Sequence, residues 1–501
     1  MFRDIVQGVA KNTSIMLFQQ VVTWGSTFLV MLLMPRYLGP VEFGWLFLAI
    51  SITQIFRVVV EYGGNYLVAK SVARSPERTA QILVDAIGFR TVFSILSFAI
   101  IVVFTFVAGY APMPRLIIWV YAASLLWAGA ITAYYASFQG REKMQYTSMG
   151  AVAERVFNSV AVVVAILLGA PVLVLAVLFV IGGFLQLVAL FAFKKNIVDS
   201  LPKISWKGTM AQVKDGFPYF LFTIFSVVYY RIDSVMLSWM SPEAVLGWYG
   251  GACRLFETMH FFPFIFSTAI YPVLSRLWNE EGNSHARAIQ KSLEFMVIAG
   301  TPITIGLVAF ARNIVQILYG LAQFGPTVPV LQILSTGLLL IYIDIILGTT
   351  LLSSDKQRQQ SVLALCAIPV KLILNYVLIG YFQATAGNGA LGGALSTVIT
   401  ELGLMVAMVK LVPRSIFAGF PFRAIGKSLL AGLAMVGIIG IGGYLDLPWA
   451  GVAVLGVLAY AGLLIVLKTL EPVEEEFLQS LLRVNLRRAG RALGIAKSEA
   501  T

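Results

Sequence analysis

Apolar runs long enough to cross a hydrocarbon layer recur along this chain, separated by short polar connections. A crossing needs about 20 mostly apolar residues. Stretches of that kind fall near 13–34, 41–62, 82–108, 115–138, 147–168, 171–193, 216–240, 244–272, 291–311, 328–352, 360–382, 389–411, 425–445 and 449–468. About fourteen spans are therefore expected. Because lipid offers no partners to free backbone groups, spans this long must be helices, so the expected fold is an all-α polytopic membrane protein. Composition agrees: 59% of the 501 residues are hydrophobic and 12% are charged, the mean hydropathy is +0.86, and soluble domains carry about 25% charged residues. The first run continues to Met34 without a small-residue cleavage site, so it is expected to stay as a span.

The net charge of +12 would suggest nucleic acid in a soluble protein, but here it tracks topology. Arg3 and Lys11 precede the first span. Lys70, Arg74 and Arg78, then Arg141 and Lys143, then Lys194, Lys195, Lys203, Lys207 and Lys214 fill every second connection. Arg276, Arg287 and Lys291, Lys356 and Arg358, and Lys410, Arg414, Arg423 and Lys427 continue the series, whereas the alternate connections hold Arg36, Arg115 and Arg312. The positive-inside rule then places both termini in the cytoplasm of a multi-pass inner-membrane protein, with no nucleic-acid partner expected.

Two pairs of segments read as copies of one unit. LGPVEFGWLFLAISITQIF from Leu38 matches MSPEAVLGWYGGACRLFETM from Met240, and AERVFNSVAVVVAILLG from Ala153 matches VKLILNYVLIGYFQATAG from Val370, which aligns Asn158 with Asn375. Spans 1–6 are thereby equated with spans 7–12. Six is even, so the halves enter the membrane in the same sense and are related by a pseudo-two-fold along the membrane normal. The expected domains are an N-terminal lobe at 1–195, a cytoplasmic linker at 196–215, a C-terminal lobe at 216–412, spans 13 and 14 at 413–470, and a basic cytoplasmic tail at 471–501. Phe477, Leu481, Val484 and Leu486 alternate with arginines in that tail, as in an interfacial amphipathic helix.

RYLGPVEFG at Arg36–Gly44, EYGGNYLVAKSVAR at Glu61–Arg74, LLSSDKQRQQ from Leu351 and LNYVLIGYFQATAGNGALGGALST from Leu374 resemble the polysaccharide transporter branch of the multidrug/oligolipid/polysaccharide exporter superfamily, the O-antigen-type flippases. The resemblance implies two six-helix lobes around a V-shaped cavity. It also implies alternating-access flipping of polyprenyl-diphosphate-linked glycan units by a monomer, alongside a glycan polymerase and glycosyltransferases. Lipid II flippases and multidrug and toxic compound extrusion antiporters of the same superfamily are the alternatives.

Cations inside the spans bear on that expectation. Each costs about 2.5–3.5 kcal/mol at mid-bilayer, and Arg57, Arg90, Arg155, Arg231, Arg254 and Lys371 are six of them. Facing partners or an aqueous path, they would suit a diphosphate, whose oxygens match the planar guanidinium fork. Glu61, Asp85, Glu154, Asp233, Glu257, Asp344 and Glu401 lie in the same spans and offer a purely internal neutralisation. Arg57 with Glu61 and Arg254 with Glu257 have the spacing of helical ion pairs. Arg231 is turned about 200° from Asp233 and Arg90 about 140° from Asp85, so Arg231, Arg90 and Arg155 are the first candidates to face substrate. Asp344 and Glu401 have no base within a turn; they are candidates for coupling to a proton or sodium gradient, or for pairing with Lys371.

Other chemistries have little support. The nearest approach to a phosphate-cradling loop, GFPFRAIGKS from Gly419, has proline where glycine is required. Cys253 and Cys366 form no metal-ligand pattern. A membrane polymerase or glycosyltransferase is the rival class, but the outer connections are too short for a catalytic loop, so no enzyme activity and no cofactor are expected. Trp45, Trp119, Trp239, Trp248 and Trp449 fit an interfacial belt, while Tyr134, Tyr135, Tyr229 and Tyr230 fit either packing or a glycan path.

Overall fold

The computed structural model describes residues 2–278, 283–417 and 422–469. The expected tail at 471–501 lies outside these. The described chain is helical apart from short connections, with no strand among the described residues. The helices are α1 (Phe2–Glu61), α2 (Gly64–Arg74), α3 (Thr79–Val107), α4 (Pro112–Ala122), α5 (Leu125–Gly140), α6 (Met144–Leu167), α7 (Val172–Ala192), α8 (Trp206–Met240) and α9 (Glu243–Met259). They continue as α10 (Phe261–Trp278), α11 (Ser284–Leu318), α12 (Leu321–Phe324), α13 (Thr327–Thr336), α14 (Leu338–Ser353), α15 (Gln357–Ala386), α16 (Gly389–Leu411), α17 (Phe422–Tyr444) and α18 (Trp449–Val466).

Among the described residues, 12 helices are long and apolar enough to cross a membrane, and 13 if the bent α8 is taken as one span. The first of these stretches, Val22–Arg74, takes in the expected span 41–62 and part of 13–34. α1 is broken at Gly39, whose φ of 69° and ψ of 176° are non-helical, between Pro35 and Pro40. Were it straight, Gln19 and Arg57 would stand about 57 Å apart. Both line the same cavity, so the chain doubles back at Gly39.

The chain divides into two units. One comprises Met1–Thr258, Ile314–Leu334 and Lys356–Leu404; the other comprises Met259–Asn313, Ser335–Asp355 and Met405–Thr501. In the second unit, Tyr342 of α14 donates to the carbonyl of Met259 at the end of α9 at 2.9 Å, and the Ser267 and Thr349 hydroxyls meet at 2.6 Å, joining α10 to α14. Tyr460 on α18 donates to the Ile298 carbonyl of α11 at 2.8 Å and meets the Ser428 hydroxyl of α17 at 2.6 Å. Each bond satisfies a polar group that hydrocarbon would leave bare.

In the first unit, the two copies of the repeat meet at equivalent glycines. A Cβ on Gly44 would stand 2.8 Å from the Glu243 carbonyl and 2.9 Å from the Gly247 nitrogen, and one on Gly247 would overlap the Pro40 carbonyl. Small residues permit such backbone-to-backbone approach, and close packing takes the place of a hydrophobic drive that lipid does not supply.

The connection after α7 is a 3-10 turn, Phe193–Asn196, followed by an irregular stretch to Ser205. Ser205 caps α8 by accepting from Gly208 N at 3.3 Å. The buried Asp85 carboxylate accepts from Ser205 N at 2.7 Å and from Gln81 at 2.8 Å. A carboxylate at a helix N-terminus meets both free N–H groups and the positive dipole end.

Gly247→Ala is expected to lower the melting temperature of the detergent-purified protein by several degrees, corresponding to about 1–3 kcal/mol of overpacking. Gly437→Ala, where a Cβ meets nothing within 4 Å, should leave it unchanged or raise it. Equal melting of the two variants would contradict the glycine crossing.

Candidate functional site

A cavity of about 640 Å³ lies within the first unit, walled by α1, α4, α5, α6, α7 and α9. Its lining follows helical periodicity. Gln19, Thr23, Ser26 and Thr27 come from the first arm of α1; Thr53, Gln54 and Arg57 come from the second; Glu154, Arg155, Asn158 and Ser159 come from α6. Each set repeats at three- and four-residue steps, so each helix turns one polar stripe inward. Tyr121, Tyr135, Gln186, Arg254 and Glu257 complete the polar surface.

Three guanidinium groups and two carboxylates face this space. Arg57 is half exposed and donates to Glu61 at 2.7 Å, the i,i+4 pair expected from spacing. Glu257 does not take its expected partner Arg254. It is held instead by Arg231 of α8, through Nη1–Oε1 at 2.7 Å and Nη2–Oε2 at 3.3 Å. The bidentate fork leaves Arg254 facing the cavity. Arg254 and the exposed Arg155 make no ion pair or side-chain hydrogen bond through their guanidinium groups among the described residues.

The other three cations are elsewhere. Arg231, expected to face substrate for want of a local partner, has a non-local one in Glu257. Arg90 is fully buried: Nη1 donates to Thr132 at 2.9 Å, its guanidinium lies 5.6 Å from the Phe89 ring, and a Cβ on Gly64 would stand 2.5 Å from Nη2. Lys371, 1% exposed, forms an ion pair with Asp233 at 2.9 Å and lies 4.2 Å above the Tyr229 ring. Asp233 also accepts from Tyr249 at 2.9 Å, Asn375 at 2.6 Å and Thr397 at 3.1 Å, so its carboxylate is held by α9, α15 and α16. The pairing of Lys371 with Asp344 or Glu401 weighed from sequence is thus replaced by Lys371 with Asp233. Glu401 accepts from Tyr229 at 2.9 Å, and Asp344 is buried on α14 in the second unit.

The repeat explains part of this contrast. Aligning Asn158 with Asn375 sets Glu154 against Lys371. In the first copy Asn158 donates to Glu154 at 3.5 Å beside the open cavity; in the second, Asn375 and Lys371 both grip Asp233 in a dry core. Of the four tyrosines, Tyr135 lines the cavity and receives a 2.8 Å bond from Gln186, Tyr134 is core, and Tyr229 belongs to the Lys371 network. Gln19, Gln54 and Tyr121 were not singled out from sequence, although the polar stripes that carry the first two were present there.

A many-helix membrane protein with a charged, water-accessible cavity between helices has the architecture of a solute or lipid transporter. The same fold is found in the lipid II flippase MurJ in an inward closed conformation, with a TM-score of 0.72 and 15% identity over 91% of this chain and 98% of that one. An inward-facing multidrug resistance MATE family transporter of the MOP superfamily gives 0.62 and 14%, over 80% and 95%. The chain belongs to the polysaccharide biosynthesis protein family, whose model matches residues 9–278, and the MatE model matches residues 218–377. It is 23% identical over 368 residues to an O-antigen transporter of Shigella dysenteriae, covering 72% of this chain and 88% of that protein. It is likewise 23% identical over 410 residues to one of Escherichia coli K12, covering 76% and 92%.

Lys371→Met is expected to destabilise the protein by about 3–5 kcal/mol, because Asp233 would remain charged in a low-dielectric core. Lys371→Met combined with Asp233→Asn should recover most of that loss in a thermal melt. A single variant as stable as the parent would contradict the pairing.

Proposed function

We propose that the protein is a flippase that moves a polyprenyl-diphosphate-linked oligosaccharide unit from the cytoplasmic to the outer leaflet, supplying a surface polysaccharide. One observation carries this reading: Arg155 and Arg254 face a polar cavity and, among the described residues, neither forms an ion pair with Glu154 or Glu257, the two carboxylates that share it. A charge held at membrane depth is costly unless water or a ligand meets it. A diphosphate brings about two negative charges and oxygens that accept paired N–H donors. Arg57 can join them by exchanging Glu61 for the ligand. A carrier of organic cations would need the opposite balance. Membership of the polysaccharide biosynthesis family and the likeness to two O-antigen transporters support the same substrate class.

The basic residues on alternate connections support an inner-membrane orientation with cytoplasmic termini. Asp344 and Glu401 remain the proposed groups for coupling to an ion gradient; Glu401 is linked through the Tyr229 hydroxyl to the ring that Lys371 covers.

Reconstituted in vesicles with a lipid-linked oligosaccharide, Arg155→Gln and Arg254→Gln should each slow translocation by roughly tenfold or more, about 1.4 kcal/mol or more per group. Arg155→Glu and Arg254→Glu should abolish it at normal protein abundance. Arg254→Lys should retain part of the rate, since charge survives without the fork. Undiminished translocation by both charge-reversed proteins would overturn the reading.

A further inference from the structure

α6 has two faces, one polar and one apolar. Opposite its polar stripe, Met149, Val152, Ala153, Val156, Phe157, Val160, Ala161 and Val164 line an open groove of about 810 Å³, whose polar members among the described residues are Gln19 and Ser148. From Ser148 to Val164 the groove follows about 24 Å of helix axis, most of a hydrocarbon thickness of about 30 Å. Gln19 of α1 lines both the groove and the cation-bearing cavity. On α6 itself, neighbouring positions divide between the two: Glu154 and Arg155 face the cavity, and Ala153 and Val156 face the groove.

We propose that this groove seats the isoprenoid tail of the substrate whose diphosphate lies in the cavity, with the chain passing the α1–α6 wall beside Gln19; the proposal rests on the function proposed above. Charge complementarity selects the occupant. A molecule that answers both sides of α6 must carry an anionic head and a long hydrocarbon tail, joined at one point. Lipid is already as apolar as these side chains, so the groove gains no hydrophobic energy from the tail. It acts by shape, holding the tail along the outer face of α6 while the polar head stays in water. Ordinary phospholipid filling the groove, with no connection to the cavity, is the competing occupant.

The test uses the full-length protein in nanodiscs and a long-chain polyprenyl diphosphate bearing a photoreactive group in the isoprenoid units next to the diphosphate. Labelling should fall on α6 between 148 and 164. It should be lost when geranyl diphosphate competes for the head site, and persist in excess phospholipid. Val160→Trp, which fills the groove from a lipid-facing position, should weaken binding of the long-chain probe by roughly tenfold and leave geranyl diphosphate binding unchanged. Labelling that survives geranyl diphosphate, or a Val160→Trp protein that binds the long-chain probe normally, would overturn the tail site while leaving the head site standing. A parent protein that binds neither diphosphate would overturn both.

Discussion

A cation inside a membrane has to be met by an acid, by an aromatic face or by water, and this requirement sorts the interior of the protein. Lys371 is met by Asp233, and in being met it ties α8 to α15, with α9 and α16 joined through the remaining bonds of the same carboxylate. Arg231 ties α8 to α9, and Arg90 ties α3 to α5. What these three do for packing, Arg57, Arg155 and Arg254 do not: they are held at a cavity wall, where water or a ligand supplies the missing solvation.

The division could be anticipated only in part. Hydropathy located the helices because lipid enforces them, and helix spacing located the Arg57–Glu61 pair because its geometry is local. Glu257 lies 26 residues from Arg231, and Asp233 lies on another helix from Lys371. No periodicity reports such partners, because they depend on how helices are rotated against each other. Arg231 therefore looked unpaired and Arg254 looked paired, and the fold reverses both. The cavity wall was more legible than its charges. Polar residues at i, i+4, i+7 and i+8 from Gln19, and again on α6, mark inward faces, since a helix surrounded by lipid has no other reason to carry a polar stripe.

The two repeats also show how one design diverges. Their equivalent asparagines are both buried, but one neighbours an acid at the edge of an open space and the other shares an acid with a lysine in a closed one. At the position four residues before each asparagine, Glu154 at the cavity wall stands where Lys371 stands in the buried Asp233 cluster.

The contact between Gly44 and Gly247 has a mechanical side as well. Where two helices interlock through side chains, turning one against the other means withdrawing knobs from holes. At this crossing the backbones touch with no side chain from either glycine between them. Such a joint resists separation, because the approach is close, yet offers few obstacles to rotation about the point of contact. It sits at the turns that open spans 2 and 8, equivalent positions in the two copies of the repeat.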